Sequence, residues 1–329
     1  MPFRGTGVTS VRLKTGADDA GRRLDRILRK ALPDCSLSFI HRLLRQGKIR
    51  VDGGTVKPET RVPADAVIEI ATSEKTRLRP GSSPMGNRLE PGGLRVPAAL
   101  PEILARGSGV VFFNKPAGLA SHGPGSLDAI VKARYAERPS GSLSFRPGPL
   151  HRLDRPTSGV VAFSESLAGA KLFTELLRER RVTKTYLAIL EGRLASAEPL
   201  WRDELARDET ARKTFVAGSA DSGKFAETGV RALACNGSHT LVEANIVTGR
   251  THQIRSQAAA RGNPLAGDVK YGGRPEPDGF FLHAWKLEFH AEVACLPRIV
   301  VAPPPPGFAE RARSLFGDRD GRSLAKIFS

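Results

Sequence analysis

Near the start of the chain, apolar residues recur at helical spacing. In Gly21-Arg22-Arg23-Leu24-Asp25-Arg26-Ile27-Leu28 they fall at i, i+3 and i+4, which predicts an amphipathic helix. Pro33 and Asp34 break it. Ser36 can cap a second helix that places Ile40, Leu43 and Leu44 on one face and stops at Gly47. Lys48-Ile49-Arg50-Val51 alternates as a strand does, Asp52-Gly53-Gly54 is a tight-turn signal, and Ala66-Val67-Ile68-Glu69-Ile70 reads as a closing strand. Residues 1–20 carry no clear period and read as a tail or a first strand. The pattern thus predicts a small helix–helix–hairpin unit over residues 21–75.

Residues 76–98, with Arg79-Pro80-Gly81-Ser82-Ser83-Pro84 and Glu90-Pro91-Gly92-Gly93, have the low hydrophobicity and dense Pro and Gly of a linker. From residue 99 to 329, short apolar strands alternate with Gly/Pro turns, and few segments read as helices, Ser166 to Glu179 among them. This predicts an α+β domain built on a large, mixed, mostly antiparallel sheet. Residues 301–306 read as a Pro-rich loop before a final polar helix. No internal repeat is visible.

A length of 329 residues agrees with two domains. No run of about 18 apolar residues exists, so no membrane span is expected, and Met1-Pro2-Phe3-Arg4-Gly5 lacks the apolar segment of a secretory signal. Cys35, Cys235 and Cys295 are scattered, which predicts buried thiols in a reducing, cytoplasmic setting and argues against a zinc site. The 51 Lys and Arg exceed the 34 Asp and Glu, giving a net charge of +17. Such a surface suits phosphate-rich partners, although arginine inflation in a high-GC genome would give the same total. Position separates the two readings. Arg42 and Arg45 leave the apolar face of the second helix, and Lys48 and Arg50 follow on the next strand, an arrangement that can straddle phosphates of folded RNA.

The segment richest in chemistry is Leu150-His151-Arg152-Leu153-Asp154-Arg155-Pro156-Thr157-Ser158-Gly159-Val160. Its Pro, Thr, Ser and Gly shape a loop. A carboxylate between guanidinium groups is held ionised and oriented, a state that suits a nucleophile or base better than a general acid. A structural Asp–Arg pair in a tight turn would leave the same trace.

The helix–helix–hairpin with its cations resembles the S4-like RNA-binding domain. His-Arg-Leu-Asp-x-x-Thr-Ser-Gly resembles the signature of the RluA family of pseudouridine synthases. Further segments agree in family order: Asn114-Lys115-Pro116-Ala117-Gly118 with Ser121-His122, Lys184-Thr185-Tyr186-Leu187-Ala188, Gly223 to Thr228, Thr248-Gly249-Arg250-Thr251-His252-Gln253-Ile254-Arg255, Gly262 to Asp268 with Tyr271-Gly272, and Phe281-Leu282-His283-Ala284. The resemblance covers about residues 105–295. Gln257 and Asn263 depart from it where His is frequent, so altered packing or substrate contacts are expected there.

The resemblance implies isomerisation of uridine to pseudouridine in RNA, in a pseudouridine synthase fold, with no cofactor and no metal. Asp154 acts on the sugar or ring, or takes a sugar proton; both routes stay open. Arg255 pairs with Asp154, Tyr186 stacks on the target base and assists a late proton step, and Ile254 forms an apolar wall. Arg152 fills the stack that the flipped base vacates. His151 is either a structural group or a substrate contact, Arg250 binds phosphate or fixes its loop, Thr157 and Ser158 shape the Asp154 loop, and Asp268 is structural. The expected partner is structured RNA, large-subunit (23S-type) ribosomal RNA ahead of tRNA, bound by a monomer. The alternative is a non-catalytic RNA-binding or ribosome-assembly factor on the same scaffold; the presence of Asp154, Tyr186 and Arg255 together argues against it. A glycosidase, which needs two carboxylates around the bond, ranks last.

Overall fold

The computed structural model describes residues 9–72, 100–136, 142–194, 199–218, 222–290, 292–293 and 295–317. The linker expected over 76–98 lies outside them. The chain divides into two compact units. One comprises residues 1–95 with 131–147 and 166–168, and the other comprises the remainder.

The small unit contains β1 (Thr9–Lys14), β2 (Arg22–Arg23), α1 (Leu24–Ala31), α2 (Leu37–Arg45), β3 (Ile49–Val51), β4 (Gly54–Thr55), β5 (Arg61–Val62) and β6 (Val67–Thr72). Within the first twenty residues, the strand reading therefore describes Thr9–Lys14, which pairs antiparallel with β6. Leu24, Ile27, Leu28 and Ala31 line the buried face of α1 and pack with Ile40, Leu43 and Leu44 of α2 and with Ile49, Ile68 and Ile70 of the sheet β1-β6-β3-β4. Each of these leucine and isoleucine side chains contributes about 1.5–3 kcal/mol of burial. Ser36 Oγ accepts the N–H of Phe39 and caps α2. Asp52 and Gly53 both have positive φ between the paired residues Val51 and Gly54, the backbone of a two-residue hairpin turn. One polar contact has no counterpart in the apolar pattern. The fully buried Asp19 accepts from Ser142 Oγ at 2.7 Å, Leu143 N at 2.7 Å and Ser144 N at 3.0 Å, a segment more than 120 residues away in sequence.

The remaining elements are β7 (Ile103–Gly107), β8 (Val110–Lys115), α3 (Leu127–Ala136), β9 (Gly148–Pro149), β10 (Ser158–Ser164), α4 (Leu167–Arg178), β11 (Val182–Glu191), β12 (Leu200–Asp208), β13 (Lys213–Val216), β14 (Lys224–Cys235), β15 (His239–Ile246), α5 (Gln253–Ala260), β16 (Leu282–Phe289), β17 (Ile299–Val301) and α6 (Pro306–Phe316). Eleven strands form one sheet with the central order β13-β12-β14-β15-β11-β16-β10-β8-β7. Its described pairings are antiparallel except β10 with β16. This is the mixed, mostly antiparallel α+β architecture expected from the sequence. β8 and β10 are buried on both faces, so they read as continuous apolar runs. Phe112 packs against Phe173 and Phe289 at ring separations of 6.2 and 5.9 Å.

Two expectations need correction. The final helix is not simply polar: Phe308, Ala309, Ala312 and Phe316 of α6 are buried, and Phe308 packs edge-on to Phe281. Of the three free cysteines only Cys35 is buried, while Cys235 and Cys295 are exposed. Isolated apolar or sulfur side chains carry no period that reveals which way they face. No helix among the described residues is long and apolar enough to cross a membrane.

Candidate active site

The loop between β9 and β10 carries Asp154, and the turn after β8 fixes that loop. Lys115, fully buried at the end of β8, donates from Nζ to the carbonyls of Pro116, Leu119 and Arg155. Three carbonyl acceptors match the three donors of an ammonium. Burial lowers its pKa to about 8, partly offset by Asp154, so it stays charged at neutral pH. Gly118 N donates to Arg155 O, Arg155 Nε donates back to Gly118 O, and Ser121 Oγ donates to Leu153 O while accepting Leu153 N. The loop thus loses most of its freedom before any ligand arrives. At its far end, buried His283 donates from Nε2 to Ala302 O and accepts the Ser158 hydroxyl at Nδ1. Burial pulls the pKa of His283 down to about 4, which keeps the ring neutral.

Arg255 reaches Asp154 from the buried first turn of α5. Its Nη1 donates to Asp154 Oδ2 at 3.2 Å, while Nε and Nη2 donate to Asp268 Oδ2 and Oδ1 at 2.7 and 2.8 Å. Asp268 is almost wholly buried. The guanidinium carbon also lies 4.8 Å from the Tyr271 ring centroid and 4.6 Å from that of Phe280. Burial alone would lower the Arg255 pKa, but the two carboxylates outweigh it and raise it. The Asp154–Arg255 pair expected from the sequence is therefore present, and it is anchored by a second carboxylate.

A second group converges on the same oxygen. His252 Nε2 is 3.7 Å from Asp154 Oδ2. Its backbone is left-handed, φ 54° and ψ 24°, a conformation uncommon for a non-glycine residue. Tyr271 OH accepts the N–H of Thr214 at 2.9 Å and contacts His252 Nδ1 at 2.8 Å. Tyr271 thereby holds the His252 ring with Nε2 turned toward Asp154. Burial lowers the His252 pKa against the pull of Asp154. Asp154 Oδ1 has no hydrogen-bond partner among the described residues.

Asp154 opens into a cavity of ≈ 220 Å³, whose walls include Arg152, Tyr186, Ile246, Ile254 and Leu282. Tyr186 is placed by a bulge: Thr185 lies opposite Lys286 but Tyr186 opposite Ala284, so β16 carries one extra residue there. Such an insertion re-aims the side chains beside it. Burial, reinforced by the Asp154 charge, raises the pKa of the Tyr186 phenol, so it stays protonated. Ile254 is buried, and Arg152 is exposed at the rim.

The other expected site residues divide. His151 lines the cavity, but its Nε2 accepts Ala162 N and its ring stacks on Phe173; burial holds its pKa at about 3, so it is a neutral structural acceptor. Arg250 lines the cavity while its Nε holds Phe225 O at 3.0 Å. Gln257 is buried, donating to Asp203 Oδ2 and accepting from Thr228 Oγ1, and Asn263 donates to Glu191 O. Both of these departures are packing contacts. In the small unit, Arg42 and Arg45 are exposed on α2, and Lys48 and Arg50 are half-buried beyond Gly47, with Arg50 opposite Glu69. Sequence reasoning passed over the roles of His252, Tyr271 and Lys115, and gave Asp268 a structural role without its partner Arg255. The one available signal was a carboxylate and one of the chain's three tyrosines in the Gly-rich turn after the arginine helix. Among the described residues no group of three or more His, Cys, Asp or Glu side chains could hold a metal ion.

An oriented carboxylate, a protonated phenol and an apolar wall thus surround a cavity of a size to admit a planar ring. The comparisons with known proteins agree. The sequence profile of RNA pseudouridylate synthase matches residues 109–260, and that of the S4 domain matches residues 22–68. The chain is 31% identical over 289 residues to ribosomal large subunit pseudouridine synthase C of Pasteurella multocida, covering 84% of this chain and 85% of that protein. Solved structures of human RNA pseudouridylate synthase domain containing 4 and 1 superpose with TM-scores of 0.53 and 0.52, at 23% and 26% identity. They cover 65% and 67% of this chain and 92% and 89% of those chains. The chain belongs to the RluA family of RNA pseudouridine synthases, in the form that carries an N-terminal S4 domain. It is an isomerase acting on RNA.

Proposed function

We propose that the protein isomerises specific uridines of large-subunit ribosomal RNA, with Asp154 as the catalytic carboxylate. The reaction breaks the bond from N1 of uracil to C1′, turns the base, and joins C5 to C1′; C5 loses a proton and N1 gains one. The observation that carries the reading is the Asp154–Arg255 pair at 3.2 Å in a cavity that also presents Tyr186 and Ile254. Arg255 and His252 both address Oδ2, which leaves Oδ1 as the reacting atom. Tyr186 stacks on the base, Ile254 faces it, and Arg152 fills the vacated stack. Arg42, Arg45, Lys48 and Arg50 dock the small unit on folded RNA. The protein works as a cytoplasmic monomer. Ribosomal RNA is favoured over tRNA because the relatives are named for the ribosomal large subunit.

The test is to map pseudouridines in ribosomal and transfer RNA from cells with and without the gene, and from cells carrying Asp154→Asn. The reading requires one or more large-subunit sites to vanish in both deficient strains while the variant still binds RNA. Loss confined to tRNA would redirect the substrate. Retained product with Asp154→Asn would refute the role of the carboxylate.

A further inference from the structure

The cavity contains a cation that the Asp154 chemistry leaves unexplained. Lys184 lies on β11 two residues before Tyr186, so both side chains share one face of the strand and both line the cavity. Its ammonium has no hydrogen-bond acceptor and no carboxylate partner among the described residues. A Cβ on Gly249 would stand 3.5 Å from Lys184 Nζ, so the amine rests against the Gly249–Arg250 turn. Arg250 spends Nε on Phe225 O, and its Nη groups have no acceptor among the described residues. His151, the nearby titratable group, is neutral and offers no compensating charge. Burial lowers the Lys184 pKa, the signature of an ammonium that lost water without gaining a counter-ion. Arg250 lines the same cavity, so an anion entering it meets both cations.

We propose that Lys184, with Arg250 beside it, binds a phosphodiester flanking the flipped uridine and so seats the nucleotide over Asp154. The proposal rests on the synthase reading above. The uracil ring is a poorer occupant for this cation. The ring is neutral, whereas a phosphodiester carries the charge that an unpaired ammonium lacks.

The test uses the full chain and an unmodified large-subunit ribosomal RNA transcript tritiated at uracil C5, since the reaction releases that hydrogen. Lys184→Met should raise KM about tenfold or more, the worth of one charged hydrogen bond, with kcat within about twofold. The slope of log(kcat/KM) against log[KCl] should shrink by about 0.7, one single-strand phosphate contact. Lys184→Arg should restore most of the KM. Uridine 5′- or 3′-monophosphate should compete at least about tenfold better than uridine against the wild type, and this advantage should vanish in Lys184→Met. Unchanged melting of the variant excludes misfolding. A fall in kcat at constant KM, or monophosphates competing no better than uridine with the wild type, overturns the proposal. Absence of tritium release by the wild type on this RNA overturns the substrate reading and the proposal with it, whereas release unaltered by Lys184→Met overturns the proposal alone.

Discussion

Asp268 is the support that can be removed without touching the reacting atoms. Its carboxylate takes two of the three hydrogen bonds that position Arg255, at 2.7 and 2.8 Å, and both residues are buried. Asp268→Ala leaves a buried guanidinium with Asp154 as its one remaining counter-ion. Breaking a buried pair from one side costs about 3–5 kcal/mol, so a drop in melting temperature on the order of 10 °C is expected. Freed of its anchor, Arg255 can swing, and Asp154 loses the donor that fixes Oδ2. A misplacement of about 1 Å at a reacting group costs about 100-fold in rate. The expected result is a fall of about that size in kcat with KM little changed, because Asp268 is not among the residues lining the cavity. Asp268→Asn keeps an acceptor oxygen and should lie between the two. The assay is tritium release at a temperature well below both melting transitions, beside thermal unfolding. If Asp268→Ala melts lower yet retains kcat within about twofold, the carboxylate holds the turn and does not orient Arg255, and the reasoning fails.

Three further outcomes are expected. Arg42→Gln, Arg45→Gln and Lys48→Gln combined should cut the slope of log K against log[salt] for RNA binding by about 2–3, while an unchanged slope would exclude docking through α2 and β3. Gly159→Ala should destabilise the protein by about 3 kcal/mol or more in a denaturant titration, because φ is +113° and the added carbon would lie 2.1 Å from Ala284 O; wild-type stability would be inconsistent with the β10–β16 seam. Asp19 is sensitive to acid: burial works to raise its pKa, but the bonds from Gly16, Ser144, Leu143 and Ser142 outweigh it and lower it. A carboxylate depressed in the folded state stabilises fully above its unfolded pKa, and that stability is lost as pH falls through the folded value. Asp19→Asn should therefore lower stability at pH 7 and flatten its acid dependence, and urea titrations at several pH values that superpose on the wild type would contradict this.

Much of the small unit was legible because each signal was local. Ser36 capped the helix that it precedes, Gly47 followed its end, and Asp52-Gly53 made the turn. The β8 and β10 strands announced themselves as apolar runs, and the Asp154 loop through its composition. What stayed hidden was long-range and polar. The Asp268–Arg255 bidentate pair and the contact of Asp19 with residues 142–144 have no periodicity to betray them. The bulge before Tyr186 belongs to the pairing of two strands, not to either one. The left-handed backbone of His252 likewise has no sequence signal, since it occurs at a non-glycine residue whose ring meets Tyr271 and whose carbonyl meets Ser256.

The order of strands in the large sheet has a bearing on how the protein is born. β16 lies between β10 and β11 but follows both by roughly a hundred residues or more of chain. Translation is vectorial, and compact units fold as they emerge. While residues 282–289 are still inside the ribosomal exit tunnel, the strand after the aspartate loop and the strand that carries Tyr186 have no shared neighbour. The nascent polypeptide can therefore form helices α1 and α2 early, whereas the cavity around Asp154 is completed only near the end of synthesis.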